Sequence, residues 1–202
     1  MFLASGAILV LQVSLSRILS VISGYHAAFL VASLAMLGLT ASAIDAYAAK
    51  TRDPASFDAS MAARAGERGA VVLVVALLVL FQSGRLPDAF ASLGSMVGVF
   101  GVLAAFHQGG FLVAFLLDRF ANDVSRVYFV DLVGAAAGCV LAVVLLGSIP
   151  APVVMVACAV ALGVAGALLS EATRRALIAP ALAFLALVGG LSTPLFAVHR
   201  AK

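Results

Sequence analysis

Val127-Tyr-Phe-Val-Asp-Leu-Val-Gly-Ala-Ala-Ala-Gly-Cys-Val-Leu-Ala-Val-Val-Leu-Leu-Gly147 carries one charged side chain, Asp131, in 21 residues. At about 1.5 Å of rise per residue such a run reaches roughly 30 Å as a helix, the thickness of a bilayer's hydrocarbon core. Lipid offers no partners for backbone N–H and C=O groups, so a spanning segment pairs them internally, as a helix does. The alternating pattern of a membrane barrel strand is absent, which leaves the helix.

The chain around this stretch reads the same way. Apolar segments cover about 2–22, 26–48, 69–84, 90–117, 126–147, 150–170 and 176–198. Hydrophobic residues make up 64% of the 202 and charged residues 10%, with a mean hydropathy of +1.21. A soluble domain sits nearer 45–50% apolar and about 25% charged. A core of this length cannot hide the excess, so a lipid bilayer must cover it. The expectation is an all-α fold, a polytopic transmembrane bundle of about seven helices forming one domain, 1–202. No basic region precedes the first apolar run and no small-residue cleavage site closes it, so Met1 to Ser23 reads as a retained first span.

Loop charge suggests an orientation. With the N-terminus in the cytoplasm, the segments 49–68, 118–126 and 171–175 face inward and carry eight basic residues, whereas the outward loops carry Arg85. Lys and Arg bias cytoplasmic loops in this manner, so the net charge of +3 implies no nucleic-acid partner. The polar stretch 49–68 reads as a cytoplasmic loop or a short helix on the membrane surface, because Thr51-Arg-Asp-Pro54 is a turn and helix-start signal and Phe57, Met61 and Ala65 recur every four residues. Seven spans would place Arg200 and Lys202 outside, against the charge pattern. Either one segment is re-entrant or a further span follows, and the last segment is the suspect because Gly189-Gly190 and Pro194 interrupt it.

Ionisable groups within spans are costly and usually face the bundle interior or a water-filled cavity. Gln12, Arg17, Asp45, His107 and Asp131 are the polar positions of this kind, with Tyr128 one turn from Asp131. Asp131 lies about 7 Å inside the cytoplasmic end of its helix and is expected to pair with Arg119 or Arg126, or to accept a hydrogen bond from a facing helix. Arg17, near the opposite end, is expected to snorkel outward or to meet Asp88. Asp45, His107, Gln108, Tyr128 and Asp131 together form a candidate polar pocket open to the cytoplasm; the alternative is a set of satisfied contacts that fix helix register. Gly94 with Gly98 and Gly134 with Gly138 are small-xxx-small pairs that mark close helix packing. Cys139 and Cys158 lack CxxC or Cys/His partners and read as packing residues, so no metal is implied. No GxSxG, HExxH or Walker A pattern appears, and no catalytic residue or cofactor is assigned.

Two stretches resemble the membrane domain of bacterial membrane-bound spermidine synthase-like proteins, which fuse a polytopic domain to a soluble aminopropyltransferase-like domain. The first is Ser5-Gly-Ala-Ile-Leu-Val-Leu-Gln-Val-Ser-Leu-Ser-Arg17-Ile-Leu-Ser20 with Gly24-Tyr-His26, continuing to Leu37-Gly38. The second, more specific one is Val127-Tyr-Phe-Val-Asp-Leu-Val-Gly-Ala-Ala-Ala-Gly-Cys139. Together they cover about a quarter of the chain. The resemblance carries over Gln12, Arg17, Tyr128, Asp131, Gly134 and Gly138 as motif positions of the membrane domain and implies the bacterial cytoplasmic (inner) membrane. No counterpart of the catalytic domain is present in these 202 residues, so the chain is not expected to act as an enzyme alone.

Three functions are compatible with this reading. The first is a membrane subunit or scaffold partnered by other membrane protein subunits or a soluble domain. The second is a small transporter or half-transporter for a polyamine or other cation, using Asp45 and Asp131 with His107 for proton coupling. The third is a membrane enzyme built on the Asp/His/Tyr group.

Overall fold

A computed structural model describes residues 1–23, 25–55, 57–83 and 88–169. Six α-helices follow one another: α1 Phe2–Ser23, α2 Tyr25–Arg52, α3 Ala59–Ser83, α4 Asp88–Arg119, α5 Val124–Ser148 and α6 Ala151–Ala167. The described residues contain no strand, so the all-α expectation holds for them. Four stretches are long and apolar enough to cross a membrane: Phe2–Val21, Ala28–Arg52, Met96–Arg119 and Ala121–Ser148. The expected span 69–84 is the apolar half of α3, and 150–170 is the 17-residue helix α6. The seventh segment, 176–198, lies outside the described residues. These four candidate spans fit a lipid bilayer environment.

The polar stretch 49–68 is divided between two helices rather than forming a loop or a separate surface helix. Residues through Arg52 complete α2, and Ala59 onward is the first part of α3, continuous with its apolar half. Alanine explains the continuity. It is the best helix former and small enough for close packing, and Ala62, Ala63 and Ala65 are buried while Arg64 and Arg68 are exposed. Asp58 caps the start of α3, its carboxylate accepting the Met61 N–H at 3.0 Å and the Ser60 hydroxyl at 2.8 Å. Pro54 falls in the intervening turn instead of at the first helical position.

Proline also separates α5 from α6. Ile149 is extended (φ −124°, ψ 141°), as the residue before a proline prefers, and Pro150 and Pro152 open the next helix.

α1, α2, α4, α3 and α6 pack side to side in that order, and α6 closes back on α1. Their interior is apolar: Leu11, Leu73, Leu77, Phe106, Met155 and Leu162 are all essentially fully buried. α5 lies outside this ring and packs chiefly on α1. Its buried residues are Gly134, Gly138 and Ala142, which fall on one helical stripe. α1 and α5 run parallel, with Gly134 against Phe2 and Gly138 against Gly6. A Cβ at Gly138 would stand 2.6 Å from the Gly6 carbonyl oxygen, so only glycine permits this approach. Gly98 serves α3 and α4 in the same way, its α-carbon facing Ala76 and Leu80, with Gly94 half-buried one turn earlier.

Candidate functional site

The starts of α1, α3 and α5 share one end of the bundle with the ends of α2, α4 and α6. Contacts at that end join α2 to α4 and α1 to α5. Lys50 of α2 pairs with Asp118 of α4 at 2.6 Å. Phe57, in the turn after α2, packs on Phe111 and Phe115 of α4 with ring centroids 6.2 and 5.2 Å away. Ser5 of α1 donates its hydroxyl hydrogen bond to Asp131 of α5.

Between α2, α3 and α4 lies an open cavity of about 320 Å³. Asp45, Ala48, Ala49 and Arg52 line it from α2, at the spacing that places them on one helical face. Met61, Ala65 and Arg68 line it from α3 at four- and three-residue steps, and His107, Gln108 and Phe111 from α4. The three alanines leave the volume that larger side chains would fill. Asp45 Oδ2 and His107 Nε2 are 2.8 Å apart. An ionised carboxylate only accepts, so the Nε2–H of His107 donates to Asp45, whether the ring is the Nε2–H tautomer or the imidazolium. The side chain of His107 is 25% exposed and that of Asp45 63%, so the pair stands at the cavity wall in partial contact with its opening.

The charge of the cavity is dominated by its two arginines. Arg52 and Arg68 make no ion pair among the described residues, and the one carboxylate of the lining is engaged by His107. Formal charge is therefore positive with His107 neutral, and more so with it protonated.

The five residues expected to form one pocket divide between two places. The structure brings Asp45, His107 and Gln108 together. Asp131 instead faces α1, on the stripe of Gly134 and Gly138, where it accepts from Ser5 rather than pairing with Arg119 or Arg126. Tyr128 is exposed one turn earlier on α5. Gln12 is half-buried in α1, and Arg17 is exposed near the opposite end of that helix; the side chain of Asp88 lies outside the described residues. Sequence reasoning did not single out Arg52, Arg68 or Ser5. The seven-residue step from Asp45 to Arg52 was a usable signal for the first of these.

Cys139 is exposed and Cys158 buried, both as free thiols. Among the described residues, no three His, Cys, Asp or Glu side chains stand together as a metal site would need. Comparison with protein-family models, with curated proteins and with solved structures gives no match.

Proposed function

We propose that this chain is an integral membrane subunit or scaffold of the bacterial cytoplasmic membrane, with its N-terminus and charged end in the cytoplasm. On this reading it docks other membrane subunits or a soluble domain. The observation that carries it is the distribution of polarity along the bundle. Of the basic side chains among the described residues, Lys50, Arg52, Arg64, Arg68, Arg119 and Arg126 lie toward one end and Arg17 toward the other. Cytoplasmic loops collect Lys and Arg in this way. Between the two ends the ring interior is filled mainly by Leu11, Leu73, Leu77, Phe106 and Leu162, with Ser14 and Ser42 as the buried polar side chains there, and no charged side chain is buried among the described residues of that interior. A binding surface at one end suits such a molecule better than a pathway through it. The resemblance of Ser5 to Ser20 and of Val127 to Cys139 to the membrane domain of spermidine synthase-like proteins supports the same reading, since that domain accompanies a soluble one.

Gentle detergent extraction at native expression, followed by mass spectrometry of what co-purifies, tests this. A stoichiometric companion is the expected result; a stable, partner-free monomer overturns it.

The Asp45–His107 pair favours a second reading, a small transporter for a polyamine or other cation. Against it stand the apolar interior and the arginines beside Asp45, which repel a polycation. In vesicles preloaded with spermidine, Asp45→Asn should abolish flux on this reading, and unchanged flux removes it.

A further inference from the structure

The uncommitted positive charge of the α2–α3–α4 cavity has a chemical consequence independent of any docking partner. Arg52 and Arg68 come from different helices, line the same cavity and have no carboxylate partner among the described residues. Arg64, one turn before Arg68, likewise forms no ion pair among the described residues but differs in placement and in what its guanidinium is bonded to. It is absent from the cavity lining, and its guanidinium is bonded to the carbonyl and hydroxyl of Ser60 at 3.1 Å each. A guanidinium presents planar, forked donors matched to phosphate oxygens, and two of them at one opening can share a tetrahedral anion. The remaining wall supplies the His107 ring and the Gln108 amide on one side, with Met61, Ala65 and Phe111 as apolar surface beside them. Basic pockets between helices, near the ends of membrane spans, suit the headgroups of anionic lipids.

We propose that this cavity binds a phosphate group, with Arg52 and Arg68 as its principal ligands. The phosphate is that of an anionic phospholipid in the adjoining leaflet or of a soluble phosphate compound. The Asp45–His107 hydrogen bond supports the site by engaging the lone carboxylate of the lining, which forms no ion pair with either guanidinium. The site goes beyond the docking reading and stands whether or not a companion protein is found.

The test uses the full chain, delipidated in a neutral detergent, with its thermal midpoint followed during titration. Phosphatidylglycerol, phosphatidylcholine and inorganic phosphate are the three probes. Phosphatidylglycerol is expected to raise the midpoint where phosphatidylcholine does not, and added salt should weaken the response because the contacts are ionic and partly exposed. A response to inorganic phosphate as strong as that to phosphatidylglycerol assigns the soluble source; a response to phosphatidylglycerol alone assigns the lipid. The double substitution Arg52→Gln with Arg68→Gln should raise the half-saturating concentration at least tenfold, and Arg64→Gln should leave it within about twofold. The proposal is overturned if neither anion shifts the midpoint, if the double variant titrates like the parent, or if Arg64→Gln loses as much. Should the double variant fail to fold, the unaltered chain supplies the test through phenylglyoxal labelling read by peptide mass spectrometry. The effective probe should protect Arg52 and Arg68 and leave Arg64 reactive; equal labelling with and without it overturns the site.

Discussion

Asp131 joins α5 to α1 through Ser5, a residue only 4% exposed. Interhelical hydrogen bonds in membranes are worth about 0.6–2 kcal/mol, and a carboxylate left without its donor in an apolar seam adds a penalty. Asp131→Asn keeps an acceptor for the hydroxyl, so a change under about 1 kcal/mol is expected. Ser5→Ala removes the donor and leaves the carboxylate with the nearby Met1 amino group as its electrostatic partner, at roughly 1–3 kcal/mol. Unfolding of the two variants in mixed micelles checks the order; equal losses would show that the bond does not hold the seam. The Lys50–Asp118 pair contributes less, about 0–1 kcal/mol, because its side chains are 52% and 37% exposed.

At the scale of elements, glycine decides whether α5 can lie on α1. Gly138→Ala drives a methyl group into the backbone of Gly6, where the carbonyl oxygen and Cα stand 2.6 and 2.9 Å from the new Cβ. Backbone cannot turn aside as a side chain does, so a loss of about 1–3 kcal/mol is expected. Gly147, on the same helix, meets nothing within 4 Å. Gly147→Ala should be neutral or stabilise by up to about 1 kcal/mol through helix propensity alone. The contrast between these two alanines, measured by thermal unfolding, isolates the seam from propensity. The start of α3 has its own signature in pH. Hydrogen bonds from the Ser60 hydroxyl and the Met61 N–H hold the Asp58 carboxyl below its ordinary value. Its contribution is therefore complete above the unfolded value, near about pH 4, and is lost as pH falls through the lower folded value. Asp58→Ala should flatten that acid limb of the stability profile, and an unchanged limb would mean that the cap does not stabilise α3.

For the molecule as a whole, orientation is the property that the docking reading depends on. A cysteine placed in the turn at Ala55 should react with a membrane-permeant maleimide and resist an impermeant one in intact cells. A cysteine at Ile149, in the turn at the opposite end, should react with both. The reverse pattern inverts the bundle and moves the charged end, with its cavity, to the outer face. The background needs Cys139 and Cys158 replaced by Ala and Ser first, since Cys139 is exposed.

The all-helical class and the positions of the apolar segments were legible in the sequence, because hydropathy and helix length depend on local composition alone. Six of the seven expected segments correspond to α1 through α6, and the seventh falls on residues outside the description. The 49–68 stretch misled because its charges resemble a loop, whereas its alanines pack the same residues against α4 and α6. The candidate site was half legible. Residue type marked Asp45, His107 and Asp131 as polar groups within apolar runs, but no local property told which of them face one another. That follows from the arrangement of the ring, which turns Asp45 and His107 to a shared cavity with Arg52 and Arg68. The same arrangement turns Asp131 to the glycine seam of α1 and α5. The sequence alone determined the helical class and where the apolar runs lie, through short-range periodicity and transfer energy, but not the helix limits within 49–68. Only the tertiary structure decided which polar side chains meet, because rotation about each helix axis is set by neighbours distant in the chain.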